Sequence, residues 1–429
     1  MNFLYLDTGL ISNIGHNAFS CRHVTRELKR RGIQTYVLAQ KDIQADVREE
    51  LSAQAFFTCY TWFTYSTLPG GVVDPFCGWL NDFEIAWSNM RGDLEKIRGV
   101  TADDVVYVNS ARAPQVMAVW SWFSQTPLNR RPTIFMEFGN ALSVTLAENG
   151  VAWMPDPKQD SMPTMLRYIG LKMRKEDQAR FHLATFAKKC SDAYSKVMGY
   201  PVLTLPLPHR AITDCHSRVG KRIKTVSVIG QQGWNKGYHL VPQFATQLLA
   251  QRDDVRLLIH NNIPGNMASD HALIRALAAA DSRVTVNEEF AAGELWSHLL
   301  NESDLLVCPY NAKTYSTSYS AVASEAMANA IPLVAPANST LSDVLEEFDT
   351  PGATFSDFTS QSVLEATLKV LDDFDSAAEK ASLAARQWEA TKGAGNLVDV
   401  FLGGQGPRRE SPEASVFNAA PEGVSQLTH

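Results

Sequence analysis

The stretch Ser316-Thr-Ser-Tyr-Ser-Ala-Val-Ala-Ser-Glu-Ala-Met-Ala-Asn-Ala-Ile-Pro-Leu-Val-Ala335 decides the fold of this chain. It follows an apolar run that ends at Pro309, and it closes on a second apolar run, Ile331–Ala335. Each run is typical of a buried parallel strand, and the small and apolar residues of Ser320–Asn329 predict a helix between them. A strand, a helix and a strand in this order form the repeating unit of a parallel α/β sheet.

The same alternation continues on both sides of this stretch. From residue 225 onward, strands and helices are predicted in turn at Thr225–Gly230, Gly237–Gln251, Val255–His260, Ala268–Ala280, Val284–Asn287, Gly293–Asn301 and Leu305–Cys308. Nearer the N-terminus, a helix is predicted at Asn17–Arg31, with strands at Phe3–Leu6, Ile33–Ala39, Val105–Asn109, Thr133–Glu137, Leu183–Phe186 and Val202–Leu205. Two such series predict an α/β protein with two Rossmann-like domains, whose mostly parallel sheets face a central cleft.

The proline-rich connector Leu205-Pro-Leu-Pro-His209 separates the two series, because proline favours extended backbone on either side of itself. We therefore expect a first domain over 1–206 and a second domain over 207–390. A long helical stretch is predicted over 361–391, and a helix over 391–402 is expected to return toward the first domain. Residues 403–429 are polar and rich in Pro and Gly, which predicts a disordered tail.

Composition excludes several classes of protein. The chain has 429 residues with 39 Lys and Arg against 46 Asp and Glu, a formal net charge of −7, which argues against a nucleic-acid partner. Six cysteines are scattered without a CxxC pair, so we expect reduced thiols in or near the cores. The first residues have no basic segment like that of a signal peptide, and no apolar run is long enough to span a membrane. These features predict a cytoplasmic protein.

Segment 316–335 resembles the C-terminal signature of glycosyltransferase family 4 and its relatives with the two-domain GT-B fold. In that family a Glu-x7-Glu motif leads into a helix, and Glu325 matches the second glutamate. The resemblance implies that Glu325 binds the ribose hydroxyls of a nucleotide-sugar donor, since a carboxylate can accept two hydrogen bonds from a vicinal diol. The first glutamate is replaced by Thr317. The helix start after Thr317, Ser318, Tyr319 and Ser320 is predicted to face the donor diphosphate.

Two further loops resemble the same family. In Val226-Ser-Val-Ile-Gly-Gln-Gln-Gly-Trp-Asn-Lys-Gly237, a strand leads into a glycine-bearing loop, and Lys236 is expected to balance the charge of the departing diphosphate. Gly230 and Gln232 belong to this predicted cradle, although the family's arginine is absent. The other interpretation of Lys236 is a surface lysine that precedes a helix.

The first loop, Gly15-His16-Asn17, resembles the glycine-rich first loop of these enzymes. His16 is a candidate general base or phosphate contact, or else merely exposed. Asn17 is a candidate phosphate contact, or else a helix N-cap. Glu137 ends a predicted strand and is a candidate catalytic or acceptor-binding carboxylate, or else a capping group in the loop.

The resemblance as a whole implies a glycosyltransferase that moves a sugar from a nucleotide-sugar donor to a glycan, lipid-linked or protein acceptor. It implies retention of configuration, no metal and no cofactor besides the donor. A stretch of alternating basic and apolar residues over 166–189 is either a peripheral membrane contact or a solvated helical face. Two alternatives remain for the activity: a non-catalytic relative that binds a nucleotide or glycan or scaffolds a partner, and a sugar-nucleotide 2-epimerase.

Overall fold

The computed structural model describes residues 1–13, 15–61, 75–139, 142, 144–146, 153–155, 162–209, 218–261, 267–291, 293–350 and 352–403. Within these residues the chain forms two large parallel sheets and a short hairpin. The predicted α/β class with two mostly parallel sheets is confirmed.

The first sheet lies within residues 2–204 and has seven strands. In chain order the strands of this part are β1 (Asn2–Asp7), β2 (Gln34–Gln40), β3 (Ala53–Phe57), β4 (Val105–Val108), β5 (Thr133–Glu137), β6 (Val144–Leu146), β7 (Trp153–Pro155), β8 (Phe181–Thr185) and β9 (Val202–Thr204). The sheet order is β3-β2-β1-β4-β5-β8-β9 with parallel pairing throughout, and β6 and β7 pair apart as an antiparallel hairpin. Strand order therefore reverses between β1 and β4.

The second sheet has six parallel strands, β10 (Lys224–Val228), β11 (Val255–His260), β12 (Val284–Asn287), β13 (Leu305–Val307), β14 (Leu333–Pro336) and β15 (Ala353–Phe355). Their order is β12-β11-β10-β13-β14-β15, so the direction of winding changes between β10 and β13. In sheets of this kind, ligands bind beyond the carboxyl ends of the strands at the point where the order reverses. The fold thus directs attention to the residues that follow β1, β4, β10 and β13.

Fourteen helices are described: α1 (His16–Arg30), α2 (Ala45–Glu50), α3 (Pro75–Leu94), α4 (Ala113–Gln125), α5 (Met162–Lys172), α6 (Lys188–Met198), α7 (Val241–Gln251), α8 (Ala268–Ala280), α9 (Gly293–Glu302), α10 (Ala321–Ala328), α11 (Thr340–Glu347), α12 (Ser360–Asp372), α13 (Phe374–Thr391) and α14 (Gly393–Phe401). The described helices include none that is long and apolar enough to cross a membrane.

The last helix, α14, packs against the first sheet although it follows the second one in the chain. The ring of Phe401 lies 5.6 Å from that of Phe3, 4.7 Å from Tyr107 and 5.0 Å from Phe135. One buried apolar cluster includes these side chains together with residues of α10 and α11, so it extends across both sheets. This shared core holds the two strand ends that carry the site close to one another.

Three sequence interpretations need correction or fall outside the described residues. The helical stretch 361–391 is two helices, α12 and α13, which are separated at Asp373. Segment 166–189 does not present one helical face, because it runs through α5, a 3-10 turn at Lys175–Ala179 and the buried strand β8 before α6 begins. Its hydrophobic side chains Leu166, Ile169 and Phe181 are core residues. The tail predicted over 403–429 lies outside the described residues after Gly403.

Cysteine chemistry agrees with the sequence interpretation for the described positions. Cys21, Cys59, Cys190 and Cys308 are free thiols and all four are buried. Burial raises the pKa of each of these thiols, so they are neutral side chains of the core.

Candidate functional site

The residues that follow the central strands of the two sheets form the candidate site. On the first sheet they are Asp7 at the end of β1, Ser110 after β4 and Glu137 at the end of β5. On the second sheet, Gly230 follows β10 and Pro309 follows β13. Parallel strands bring these residues to one edge of each sheet.

Asp7 is fully buried and organises the first loop. The Asn17 amide donates to both Asp7 carboxylate oxygens at 2.8 and 3.1 Å, the Asn109 amide donates at 2.9 Å, and the Gly9 N–H donates at 2.8 Å. Burial raises the pKa of Asp7 to about 6, against the opposing effect of these donors. Asn17 is therefore a partner of Asp7 inside the first turn of α1, and its interpretation as the N-cap is wrong, because Gly15 is the N-cap residue.

Ser110 connects the two candidate catalytic residues of the first sheet. Its hydroxyl lies 2.8 Å from His16 Nε2, and its backbone N–H donates to Glu137 Oε2 at 3.0 Å. Ser110 has a left-handed backbone with φ of 55°, which is unfavourable for a residue other than glycine. Backbone strain of this kind is concentrated at functional sites, where the surrounding structure stabilises it.

Burial shifts the pKa values of His16 and Glu137 in opposite directions, and both groups become neutral. It lowers the pKa of His16 to about 4, with His209 contributing in the same direction, so the imidazole is neutral at pH 7. It raises the pKa of Glu137 to about 8, so that this carboxyl is mostly protonated at pH 7. Within the described part of the chain, Oε1 of Glu137 has no hydrogen-bond partner. A neutral base and a neutral acid thus both contact Ser110.

Lys236 belongs to the loop after strand β10 of the second sheet, in a 3-10 turn at Trp234–Lys236. A Cβ built on Gly230 would lie 3.1 Å from Val322 Cγ2 and 3.9 Å from Lys236 Nζ, which shows how closely the loop, the lysine and the start of α10 approach each other. The ammonium group lies 5.4 Å from the Tyr310 ring centroid, and burial lowers its pKa. Lys236 has no ion pair among the described residues.

Two glycines of this loop are required by its backbone. Gly230 and Gly237 have φ of 104° and 69°, in the region that favours glycine. A Cβ on Gly237 would come within 1.8 Å of the Pro309 carbonyl oxygen. Gln232 is buried, donates from Nε2 to the Gly230 carbonyl at 3.1 Å, and its Oε1 has no partner within the residues described.

Helix α10 begins at Ala321 with Ser320 as its N-cap, whose hydroxyl accepts from the Ala323 N–H at 3.3 Å. The preceding residues form contacts toward the first sheet. Thr317 donates to the Leu142 carbonyl at 3.3 Å, and the Tyr319 ring packs edge-on against Phe186 at 5.3 Å. Ser318 accepts a hydrogen bond from the Thr340 hydroxyl through its carbonyl group. The residues before α10 therefore contact residues that follow strands β5 and β8 of the first sheet.

Glu325 is buried with both carboxylate oxygens in hydrogen bonds. His209 Nδ1 donates to Oε1 at 3.2 Å, and the Trp296 indole N–H donates to Oε2 at 2.7 Å. His209 in turn stacks on Phe19 of α1, with ring centroids 4.8 Å apart. The carboxylate implied to bind ribose is thus held in place by a residue of the connector and a residue of α9.

The sequence interpretation missed four residues of this arrangement: Asp7, Ser110, His209 and Trp296. Asp7 and Ser110 each follow a predicted central strand, and that position is a usable signal. His209 and Trp296 give no comparable signal, because neither belongs to a motif. Among the residues that the structure describes, no cluster of three or more His, Cys, Asp or Glu could hold a metal ion.

No family model and no curated protein matches the chain. Solved structures do. Sucrose-phosphate synthase from Thermosynechococcus elongatus has a TM-score of 0.61 at 13% identity, covering 94% of this chain and 97% of that one. Anabaena HepE in complex with UDP-glucose has a TM-score of 0.58 at 15% identity, and the match covers 94% of this chain and 99% of HepE. A glycosyltransferase from Rickettsia africae has a TM-score of 0.57 at 11% identity, and the match covers 93% of this chain and 97% of that enzyme. Identities this low establish a shared fold, and the predicted GT-B architecture is confirmed.

Proposed function

We propose that this chain, which has the GT-B fold, is a glycosyltransferase that moves a sugar from a nucleotide-diphosphate donor to an acceptor. One observation carries the proposal: Lys236, a cation without an ion pair among the described residues, lies close to the start of α10, the helix that also carries Glu325. A nucleotide sugar needs a cation for its diphosphate and an acceptor of hydrogen bonds for its ribose. HepE, which shares the fold, is known in complex with UDP-glucose.

The diphosphate is assigned to the space between Lys236 and the first turn of α10. The first backbone N–H groups of a helix have no partner within the helix, and they attract anions together with the helix dipole. A partly buried ammonium without a counter-ion is unfavourable until an anion arrives, which favours binding of a phosphate beside it. Lys236 and α10 then stabilise the charge that develops on the departing diphosphate.

The acceptor is assigned to the first sheet, opposite the donor. His16 is neutral at pH 7 and can accept a proton from an acceptor hydroxyl, whereas Glu137 is mostly protonated and can donate a hydrogen bond. The left-handed Ser110 holds both side chains, so their relative position is fixed before substrate binds. The acceptor class stays a glycan, a lipid-linked glycan or a protein, and retention of configuration rests on the family resemblance.

The test is calorimetric titration of the whole chain with UDP-, GDP-, ADP- and CMP-linked sugars. We expect one nucleotide series to bind. Lys236→Met should weaken that binding ten- to hundredfold, since a hydrogen bond to a charged group contributes about 1.5–3 kcal/mol. The matched control is Lys313→Met, because Lys313 is an exposed lysine on the neighbouring loop. Equal loss in both variants, or no binding of any donor, contradicts the donor-site assignment.

Catalysis is tested separately by release of the free nucleotide from the donor that binds, with a panel of glycan, glycolipid and peptide acceptors. Nucleotide release that depends on an acceptor supports a transferase, and the anomeric configuration of the product decides between retention and inversion. Donor binding without turnover on any acceptor favours the non-catalytic binding protein. Conversion of the donor to its C2 epimer without an acceptor identifies a 2-epimerase.

A further inference from the structure

Glu325 raises a question that the proposed donor site leaves open, because both of its carboxylate oxygens are already hydrogen-bonded. Trp296 donates to Oε2 at 2.7 Å and His209 donates to Oε1 at 3.2 Å. The Glu325 side chain is buried, with 4% of the residue exposed. A ribose diol that binds this carboxylate must either share the remaining lone pairs or replace one of the two donors.

The two donors differ in how firmly they are held. His209 is 2% exposed, and its ring stacks on Phe19. Its carbonyl oxygen also accepts a hydrogen bond from the Trp388 indole at 2.9 Å. The ring of His209 is therefore held by Phe19 of α1, and its backbone by Trp388 of α13.

Trp296 is the more accessible partner. It is partly buried and lies in the first turn of α9, where the neighbouring Gly293 and Glu294 are exposed. The indole packs on the edge of the core cluster, and its single N–H has one partner, Glu325. Of the two donors to Glu325, Trp296 is thus the one that is exposed to solvent in part. An indole N–H donates one hydrogen bond, just as one ribose hydroxyl does, so the two are equivalent partners for Oε2.

We propose that Trp296 is a donor-site residue that sets nucleotide affinity: its indole N–H occupies Oε2 of Glu325 in the free protein and yields that oxygen to a ribose hydroxyl of the bound nucleotide. This inference rests on the proposed function. The exchange replaces one hydrogen bond to a carboxylate by another, so the buried carboxylate is never left unpaired. The indole in the free protein therefore competes with the nucleotide for the same oxygen.

The experiment uses UDP, GDP, ADP and CMP as probes, and 2′-deoxyuridine diphosphate where UDP binds. Trp296→Phe keeps an aromatic ring and removes the competing N–H, and we expect nucleotide to bind about tenfold more tightly. The matched control is Trp120→Phe on α4, because the Trp120 indole N–H is buried without a partner among the described residues. The control should bind nucleotide as the natural sequence does.

A second readout follows the indole N–H of Trp296 in the natural sequence. The chain has nine tryptophans, so its indole N–H groups give a small set of resonances, and the one absent from Trp296→Phe belongs to Trp296. We expect that resonance to move on addition of nucleotide, and to move less with the 2′-deoxy form. This inference is overturned, and the donor site stands, if Trp296→Phe binds nucleotide no more tightly than the natural sequence, or if the resonance does not move, while Lys236→Met still weakens binding. No binding of any nucleotide to any variant overturns both.

Discussion

Nδ1 of His209 lies 3.2 Å from Oε1 of Glu325, and this contact joins the connector between the sheets to helix α10, which follows strand β13 of the second sheet. The same imidazole stacks on Phe19 in α1, whose first residue is His16. A single side chain therefore touches both the candidate donor carboxylate and the helix that carries the candidate base. The position of Glu325 depends on a residue 116 positions away in the sequence.

His209→Phe tests this contact directly. Phenylalanine can keep the stack on Phe19 but cannot donate to Glu325, so the buried carboxylate loses one of its two partners. We expect a loss of about 1–3 kcal/mol in the free energy of unfolding and weaker nucleotide binding, measured by thermal unfolding and calorimetry. His239→Phe is the matched control, because His239 stacks on Trp234 at 3.7 Å and its Nδ1 has no partner among the described residues. Equal effects of the two changes would contradict the assigned role of His209.

Glu137 should make the protein less stable as pH rises. Burial raises its pKa from 4.5 to about 8, so the folded state retains a proton that the unfolded chain releases, and stability falls between these pH values. The pKa of Asp7 is raised from 3.8 to about 6, so stability also falls as the pH rises between these values. The pKa of His16 is lowered from 6.5 to about 4, so this group makes stability increase as the pH rises from 4 to 6.5. Among these three groups, Glu137 alone titrates between pH 6.5 and 8.

Glu137→Gln therefore provides the measurement. In the natural sequence we expect about 2 kcal/mol of the free energy of unfolding to be lost between pH 6.5 and 8, from 1.36 kcal/mol for each pKa unit. Glutamine keeps the shape of a protonated carboxyl and cannot ionise, so the variant should show a flatter profile and be the more stable protein at pH 8. Parallel profiles for the two proteins would show that Glu137 is ionised in the folded state.

Gly237→Ala should be far more damaging than the same change at Gly220. Both glycines have positive φ, 69° and 77°, so each alanine carries a similar backbone cost of about 1–2 kcal/mol. A Cβ on Gly237 would lie 1.8 Å from the Pro309 carbonyl oxygen, whereas a Cβ on Gly220 meets no atom within 4 Å. We expect Gly237→Ala to unfold at a clearly lower temperature and to lose nucleotide binding. A similar melting temperature for the two variants would contradict this expectation, because it would mean that the loops carrying Gly237 and Pro309 can separate at little cost.

Ser110→Ala separates catalysis from donor binding. It removes the hydroxyl that lies 2.8 Å from His16 Nε2 and leaves the residues around Lys236 unchanged. With the donor that binds, we expect turnover to fall at least tenfold while donor affinity stays the same, since positioned general bases contribute about 10²–10⁴ to rate. Ser303→Ala is the control, because it removes a buried hydroxyl that donates to the Ser227 hydroxyl of strand β10. Unaltered turnover in Ser110→Ala would exclude His16 as a base held by Ser110.

Local patterns predicted the regular elements well. The central strand of the second sheet was expected over Thr225–Gly230 and is found at Lys224–Val228, and the helix expected over Ser320–Asn329 is found at Ala321–Ala328. A buried parallel strand is a run of apolar residues, and this property can be read without knowledge of the fold. The errors concern how neighbouring elements were grouped. The strand expected over Leu183–Phe186 is found at Phe181–Thr185, so the residues of 166–189 do not share one helical face. The single helical stretch expected over 361–391 is broken at Asp373.

The sequence by itself determined the two α/β series, the glycines at strand ends and the placement of Lys236 and Glu325 in the loops and helix that follow central strands. Each of these depends on residues close together in the chain. Only the tertiary structure decided which side chains share a hydrogen bond: Asn109 with Asp7 across 102 positions, Ser110 with His16 across 94, and Glu325 with His209 across 116. Parallel strands joined by helices place distant strand ends side by side, and burial there, not residue type, sets the charge of His16 and Glu137.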